Sequence, residues 1–150
     1  MTDTTSNTSV ARETPPAVGH TLDVSHVDGD AYEVDVRGHR LLVDQPVDAG
    51  GTDMAPTPVE LFTASLATCV AFYAGRYLQR HGLSRDGLRV RSEYTMATDR
   101  PARVDSVRLV VVPPPELPAE RRAAMLAVAS HCTVHNTLRE PPEIRIEVKS

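Results

Sequence analysis

Residues Pro58 to Gly82 carry apolar side chains around most of a helical circumference, and few folds can house such a segment. Leu61, Ala64, Ser65, Thr68, Cys69 and Phe72 recur at three- and four-residue spacing, while Leu66, Val70 and Tyr73 add a second line. Thr57 is a plausible N-cap, Pro58 stands where a missing N–H costs nothing, and Glu60 favours the first turn electrostatically. Arg76, Arg80 and His81 load the C-terminal turn and Gly82 ends it. A helix that is apolar on several sides must be covered on several sides. One sheet in a domain of this size covers one of them, so the other falls to a second helix or a second subunit. A homodimer with its central helices packed together is the expectation.

The flanking sequence supplies the sheet. Leu22, Val24 and Val27, then Tyr32, Val34 and Val36, then Leu41 to Val43, read as three short strands joined by turns at Asp28-Gly29-Asp30 and Gly38-His39. Asp44 to Pro58 is a loop broken by Pro46, Gly50-Gly51 and Pro56. Val90, Ser92, Tyr94 and Met96, then Val104, Val107, Leu109 and Val111, predict two long strands turning at Asp99-Arg100-Pro101. A second helix follows from Pro118 to about His131, with a break near Cys132 and a further helical turn through Leu138. Ile144, Ile146 and Val148 predict a last strand after Pro141-Pro142. The order βββ-α-ββ-α-β, joined by hairpins, gives an α+β fold with an antiparallel sheet around a long central helix. Residues 1–18 are rich in Thr, Ser, Asn and Pro and are expected to form a disordered tail, leaving 19–150 as one domain.

Composition narrows the function. A net charge of −4 without a basic stripe argues against nucleic acid as a partner. No apolar run approaches the roughly 18–20 residues that span a bilayer, so no membrane association is expected. The polar N-terminus has no signal-peptide core, and the expected location is cytoplasmic. Two cysteines in such a chain are not a stabilising framework. If they pair, the bond is expected to be transient and catalytic.

Cys69 stands in mid-helix, where its own helix dipole gives it little help toward the reactive thiolate. Read alone, it is also a small buried apolar residue. Cys132 lies beside His131 and within a turn of His135, at the start of a helical segment. Cys132 and His135 also have metal-ligand spacing, but a closed zinc site wants four ligands and no second Cys/His pair stands elsewhere, so no metal and no cofactor are expected. No phosphate-binding glycine loop and no serine nucleophile elbow are visible.

Two segments together resemble a known family. Pro58-Val59-Glu60-Leu61-Phe62 followed by Ser65-Leu66-Ala67-Thr68-Cys69 is similar to the central-helix motif of the OsmC/Ohr superfamily. Asp44-Gln45-Pro46 and Gly50-Gly51 match its lead-in. Cys132-Thr133-Val134-His135-Asn136-Thr137-Leu138 resembles its second-cysteine motif, with Thr133 where proline is common. The resemblance implies an OsmC-like fold, an intertwined homodimer and a thiol-dependent peroxidase acting on organic hydroperoxides. By that resemblance Cys69 becomes a sulfenic acid, Cys132 resolves it as a disulfide, and a dithiol reductant of the lipoyl type restores both thiols. The family's activating glutamate falls on Val59, with Glu60 one residue later, and its arginine has no counterpart in the early strands. Arg37 and Arg40 are the substitutes on offer; both are also ordinary solvated side chains. Those departures motivate an alternative, an OsmC-like protein that holds a small apolar ligand in the dimer cleft without turning over peroxide.

Overall fold

The computed structural model describes residues 19–150; the tail expected over residues 1–18 lies outside the described residues. Three strands, β1 (Asp23–Asp28), β2 (Ala31–Val36) and β3 (His39–Val43), form an antiparallel meander. Its first turn uses Gly29 at φ 52° and its second uses Arg37 and Gly38 at φ 55° and 82°. Two consecutive positive φ values give a hairpin turn whose twist matches that of the strands it joins. The long helix α1 (Pro58–Arg80) follows, then the hairpin of β4 (Arg89–Met96) and β5 (Val104–Val112), and two short helices, α2 (Arg122–Ala129) and α3 (Thr133–Arg139).

The chain is α+β with antiparallel strands, as its pattern predicts, but those strands form two separate sheets, β1-β2-β3 and β4-β5. The strand expected at Ile144–Val148 is not formed. Ile144, Ile146 and Val148 are 79%, 92% and 97% exposed, and among the described residues no strand pairs with them. A two-residue hydrophobic period supplies a strand's side chains; it does not supply the neighbouring strand to which the backbone must bond.

Helix α1 is capped as its sequence suggests. Thr57 N–H donates to Glu60 Oε2 at 2.7 Å and Glu60 N–H to Thr57 Oγ1 at 3.2 Å, a reciprocal box with Pro58 at the first helical position. At the far end Gly82 turns left-handed (φ 67°) and Leu83 N–H reaches back to the Leu78 carbonyl. Leu66, Val70, Ala74, Tyr77 and Leu78 bury one face against Leu117, Met125, Ala129 and Cys132. The hairpin completes this core with Val90, Val107, Leu109 and Val111, the Val90↔Val111 and Ser92↔Leu109 pairs fixing its register.

The opposite line, with Ser65, Thr68, Phe72 and Arg76, is exposed. The described residues therefore cover α1 on one side only. By length and composition α1 would be long and apolar enough to cross a membrane, contrary to the expectation from run length. A core helix passes the same test, and here the buried face of α1 is the core.

Between β3 and α1 the chain is knotted around one carboxylate. Asp44, 1% exposed, accepts from Gln45 N–H (2.8 Å), Thr52 N–H (3.1 Å), Thr52 Oγ1 (2.8 Å) and Met54 N–H (3.2 Å). The Thr52 hydroxyl and the Gln45 amide lead the effects that hold its pKa down to about 2, against the opposing effect of burial. Gly51 closes the knot: a Cβ there would lie 1.9 Å from the Gln45 carbonyl oxygen.

Three outcomes follow from this packing. Gly51→Ala should abolish soluble folded protein or cut its melting temperature sharply, because the obstacle is backbone and cannot swing away. Leu78→Ala, at a fully buried position, should cost about 2–5 kcal/mol in denaturant unfolding. Because the Asp44 pKa is depressed in the folded state, its stabilisation is present above the unfolded carboxyl pKa near 4 and is lost as pH falls toward 2. Asp44→Asn should flatten that part of the acid-unfolding curve.

Candidate functional site

The two cysteines are far apart in sequence and adjacent in space. Cys69 points from the middle of α1 toward the core cluster that contains Cys132, and both thiols are free. Cys69 is half-buried and Cys132 is fully buried. Cys69 packs against the buried cluster that contains Cys132, near enough to push the Cys132 thiol up.

The position of Cys132 follows from local backbone preference. Helix α2 ends at Ala129, the chain turns extended at Cys132 (φ −69°, ψ 151°), and α3 starts at Thr133. Cys132 is thus the N-cap of α3, its sulfur accepting from His135 N–H at 3.4 Å. Burial pushes the Cys132 thiol up, the His135 N–H pulls it down, and neighbouring Cys69 pushes it up further. Burial and the neighbouring sulfur together favour the protonated form of Cys132.

Tyr73, one turn beyond Cys69, ties the two elements together: its Oη lies 3.0 Å from Thr133 Oγ1. Thr133, which stands where proline is common in the resembling motif, therefore carries an inter-helix hydrogen bond that proline could not make. The histidines are turned to their own backbone. His131 Nδ1–H donates to the Ala127 carbonyl at 2.8 Å and His135 Nδ1–H to the Ser130 carbonyl at 2.6 Å. Among the described residues no three His, Cys, Asp or Glu side chains gather around a common point.

The remaining candidates are not brought to the thiols by this chain. Glu60 is committed to the capping box, nine residues and about 13–14 Å along the axis from Cys69. Arg40 lies 3.7 Å from Glu33 with its side chain 71% exposed, and Arg37 occupies the exposed β2–β3 turn. The sheet that carries them meets α1 only near its start, where Val24, Tyr32, Val34 and Val43 face Pro58 and Leu61 across an apolar cleft of about 410 Å³.

Sequence reasoning missed Asp44 as the organiser of the lead-in loop and Tyr73 as the strut to Thr133. An acid placed just ahead of Gly50-Gly51-Thr52 was the available signal for the first. Nothing local signals the second, because its partner is sixty residues away.

Replacing Glu60 with Ala should cost about 0.5–2 kcal/mol of stability, as loss of a cap does. Thiol oxidation in the isolated chain should be untouched by it. A change in oxidation rate measured with a thiol reagent would show that Glu60 reaches Cys69 in the assembled protein.

Residues 50–147 match the family described as OsmC-like protein. No curated protein sequence matches the chain. Among solved structures the chain is similar to an osmotic stress induced and detoxification response protein from Psychrobacter arcticus, at 23% identity and a TM-score of 0.73, over 81% of this chain and 90% of that one. It is similar to an organic hydroperoxide resistance protein from Legionella pneumophila at 21% identity and a TM-score of 0.62, over 82% and 91% of the two chains. The organic hydroperoxide resistance protein OhrB of Bacillus subtilis matches at 18% identity and a TM-score of 0.59, over 86% and 98%.

Proposed function

Since the chain belongs to the OsmC-like family, we propose that it is a thiol-dependent peroxidase that reduces organic hydroperoxides with Cys69 and Cys132. The observation that carries the reading is the juxtaposition of two free thiols from distant parts of the chain, one half-buried and one fully buried. The Cys69 thiolate attacks the terminal peroxide oxygen, the O–O bond breaks, and the alkoxide leaves as alcohol with a proton. The Cys69 sulfenic acid is then attacked by the Cys132 sulfur, which forms the disulfide and releases water. A dithiol reductant of the lipoyl type opens that disulfide by exchange and closes on itself as a cyclic disulfide. A reducing cytoplasm suits such a cycle, since it keeps both thiols available.

The active unit in this reading is a homodimer. Its support is apolar surface that the single chain leaves open: Val24 on the first sheet, Phe72 on α1, and Ile146 and Val148 at the C-terminus. Light scattering should give twice the chain mass. In the dimer, Glu60, Arg37 or Arg40 of one chain would have to approach Cys69 of the other to serve as activating groups.

A second reading has its own observation. Glu60 is occupied by a cap and Arg40 lies beside Glu33, which leaves a protein that binds a small apolar ligand without turnover. Free-thiol titration after one equivalent of organic hydroperoxide separates the two. The peroxidase loses both thiols as one intramolecular disulfide; the binding protein keeps both.

Cys69→Ser should abolish turnover, and full activity in that variant would sink the assignment. Cys132→Ser should consume one peroxide and stop at the sulfenic acid. Burial, the largest effect that raises the Cys132 pKa, persists after Cys69 is oxidised, so resolution slows as pH falls. The share of wild-type Cys69 sulfenate trapped by dimedone should therefore rise as pH is lowered and fall as it climbs past the ordinary thiol range near 8.5.

A further inference from the structure

Joining Cys69 to Cys132 asks for alignment, which burial alone does not supply. Cys69 stands on a 23-residue helix and can change little but its side-chain torsion. Cys132 stands at a break between the end of α2 at Ala129 and the start of α3 at Thr133, where the backbone is extended. A disulfide forms only when the two Cβ atoms come close. Whatever holds that break against α1 therefore sets how often the sulfurs meet.

Most of what holds it is apolar. Met125, Val128, Ala129 and Val134 pack in the cluster built on α1, and such contacts are non-directional. Among the described residues one hydrogen bond joins the chain before Pro113 to the chain after it, that between Tyr73 Oη and Thr133 Oγ1 at 3.0 Å. Both of its ends lie beside a thiol. Tyr73 is four residues beyond Cys69, about 6 Å along the axis and within roughly 40° of its direction. Thr133 follows Cys132 directly. The Tyr73 ring packs against the core and meets Phe72 edge-on, with ring centres 5.5 Å apart.

Helix geometry does not account for Thr133. It is the first helical residue of α3, where the fixed φ of proline is favoured, and its hydroxyl is turned to Tyr73 and not to the backbone of α3. The need for such a tie grows during the reaction. As the N-cap of α3, the Cys132 sulfur accepts from His135 N–H at 3.4 Å. Once bonded to Cys69, that sulfur is a weaker acceptor than a thiolate, and the start of α3 must be held by something else.

We propose that Tyr73 and Thr133 are positioning residues for disulfide formation, their hydroxyl bond holding the break at Cys132 against α1 so that its sulfur stays within reach of Cys69. The chemistry is that of the peroxidase reading, on which this proposal rests. The Cys132 sulfur attacks the Cys69 sulfur, the S–O bond breaks, and the departing hydroxide leaves as water with the Cys132 proton. While the sulfenic acid waits, a second hydroperoxide carries it on to sulfinic acid, so a misplaced Cys132 shows as over-oxidised Cys69.

Quenched-flow mixing with cumene hydroperoxide, read by mass spectrometry, separates the steps. In Tyr73→Phe disulfide formation should slow about fivefold, the factor one hydrogen bond carries, without a matching loss in sulfenic acid formation. The sulfinic share of Cys69 should rise correspondingly. Thr133→Val should do the same, and the double variant should be no slower than either single one. Thr133→Ser, which keeps the hydroxyl, should match the wild type. Unchanged disulfide formation in Tyr73→Phe overturns the proposal. Equal slowing by Thr133→Ser and Thr133→Val, or additive slowing in the double variant, also overturns it, because either result assigns the effect to packing. A second arm needs no peroxide. Titration with mixtures of reduced and oxidised glutathione should find the Cys69–Cys132 disulfide about fivefold less stable in Tyr73→Phe than in the wild type. If the wild type consumes no cumene hydroperoxide while that difference holds, the peroxidase reading falls and the positioning pair stands. If the wild type turns over and neither rate nor stability of the disulfide responds to Tyr73→Phe, the pair falls and the peroxidase stands.

Discussion

The helical body and the second hairpin are arranged around one buried face of α1. Leu66, Val70, Ala74, Tyr77 and Leu78 are the surface against which α2, the start of α3 and the second hairpin all pack. Burial of apolar area is the main favourable term in folding, and here a single helix donates more of the buried side chains than any other element. The chemistry inherits its geometry from that packing. Cys69 stands at the edge of the buried face, so whatever docks on that face arrives beside its sulfur. Cys132 arrives because α2 ends at Ala129 and three residues later a new helix needs an N-cap.

Elements set by local rules were legible in the sequence. The capping box at Thr57 and Glu60, the stop at Gly82, the first hairpin turn and the junction at Cys132 each depend on a few adjacent residues and appear where those residues indicate; the second turn falls one residue earlier than expected, on Arg37-Gly38. Helical periodicity was less decisive. Two apolar lines run along α1, and the chain buries the one through Leu66 and Val70 while the one through Ser65, Thr68 and Phe72 stays exposed. Both lines satisfy a helix; only the partners of α1 decide between them. The C-terminal segment fails for the same reason, since Ile144, Ile146 and Val148 have a strand's pattern but no strand among the described residues to pair with.

The candidate site divides along similar lines. Two motifs in order suggested that Cys69 and Cys132 act together, and Cys69 packs against the buried cluster that holds Cys132. The residues suggested to activate them carry ordinary structural duties in the chain: Glu60 closes a cap, Arg40 approaches Glu33, and Arg37 sits in a turn. A motif transmits which residue types stand near a reactive atom in an assembled protein. It does not say which chain they come from, and a one-residue displacement from Val59 to Glu60 turns a side chain by about 100°.

The Asp44 knot has a mechanical meaning beyond the loop it organises. The first sheet reaches the helical body through this crossing and the few side chains near Pro58, so it behaves as an arm on a single shoulder. Strands of five or six residues extend roughly 17–20 Å from that shoulder. A rotation of a few degrees at Asp44 therefore becomes an ångström or more at the far hairpin tip where Arg37 sits. The bearing of the arm, and with it the reach of its arginine, is set by four hydrogen bonds to one carboxylate.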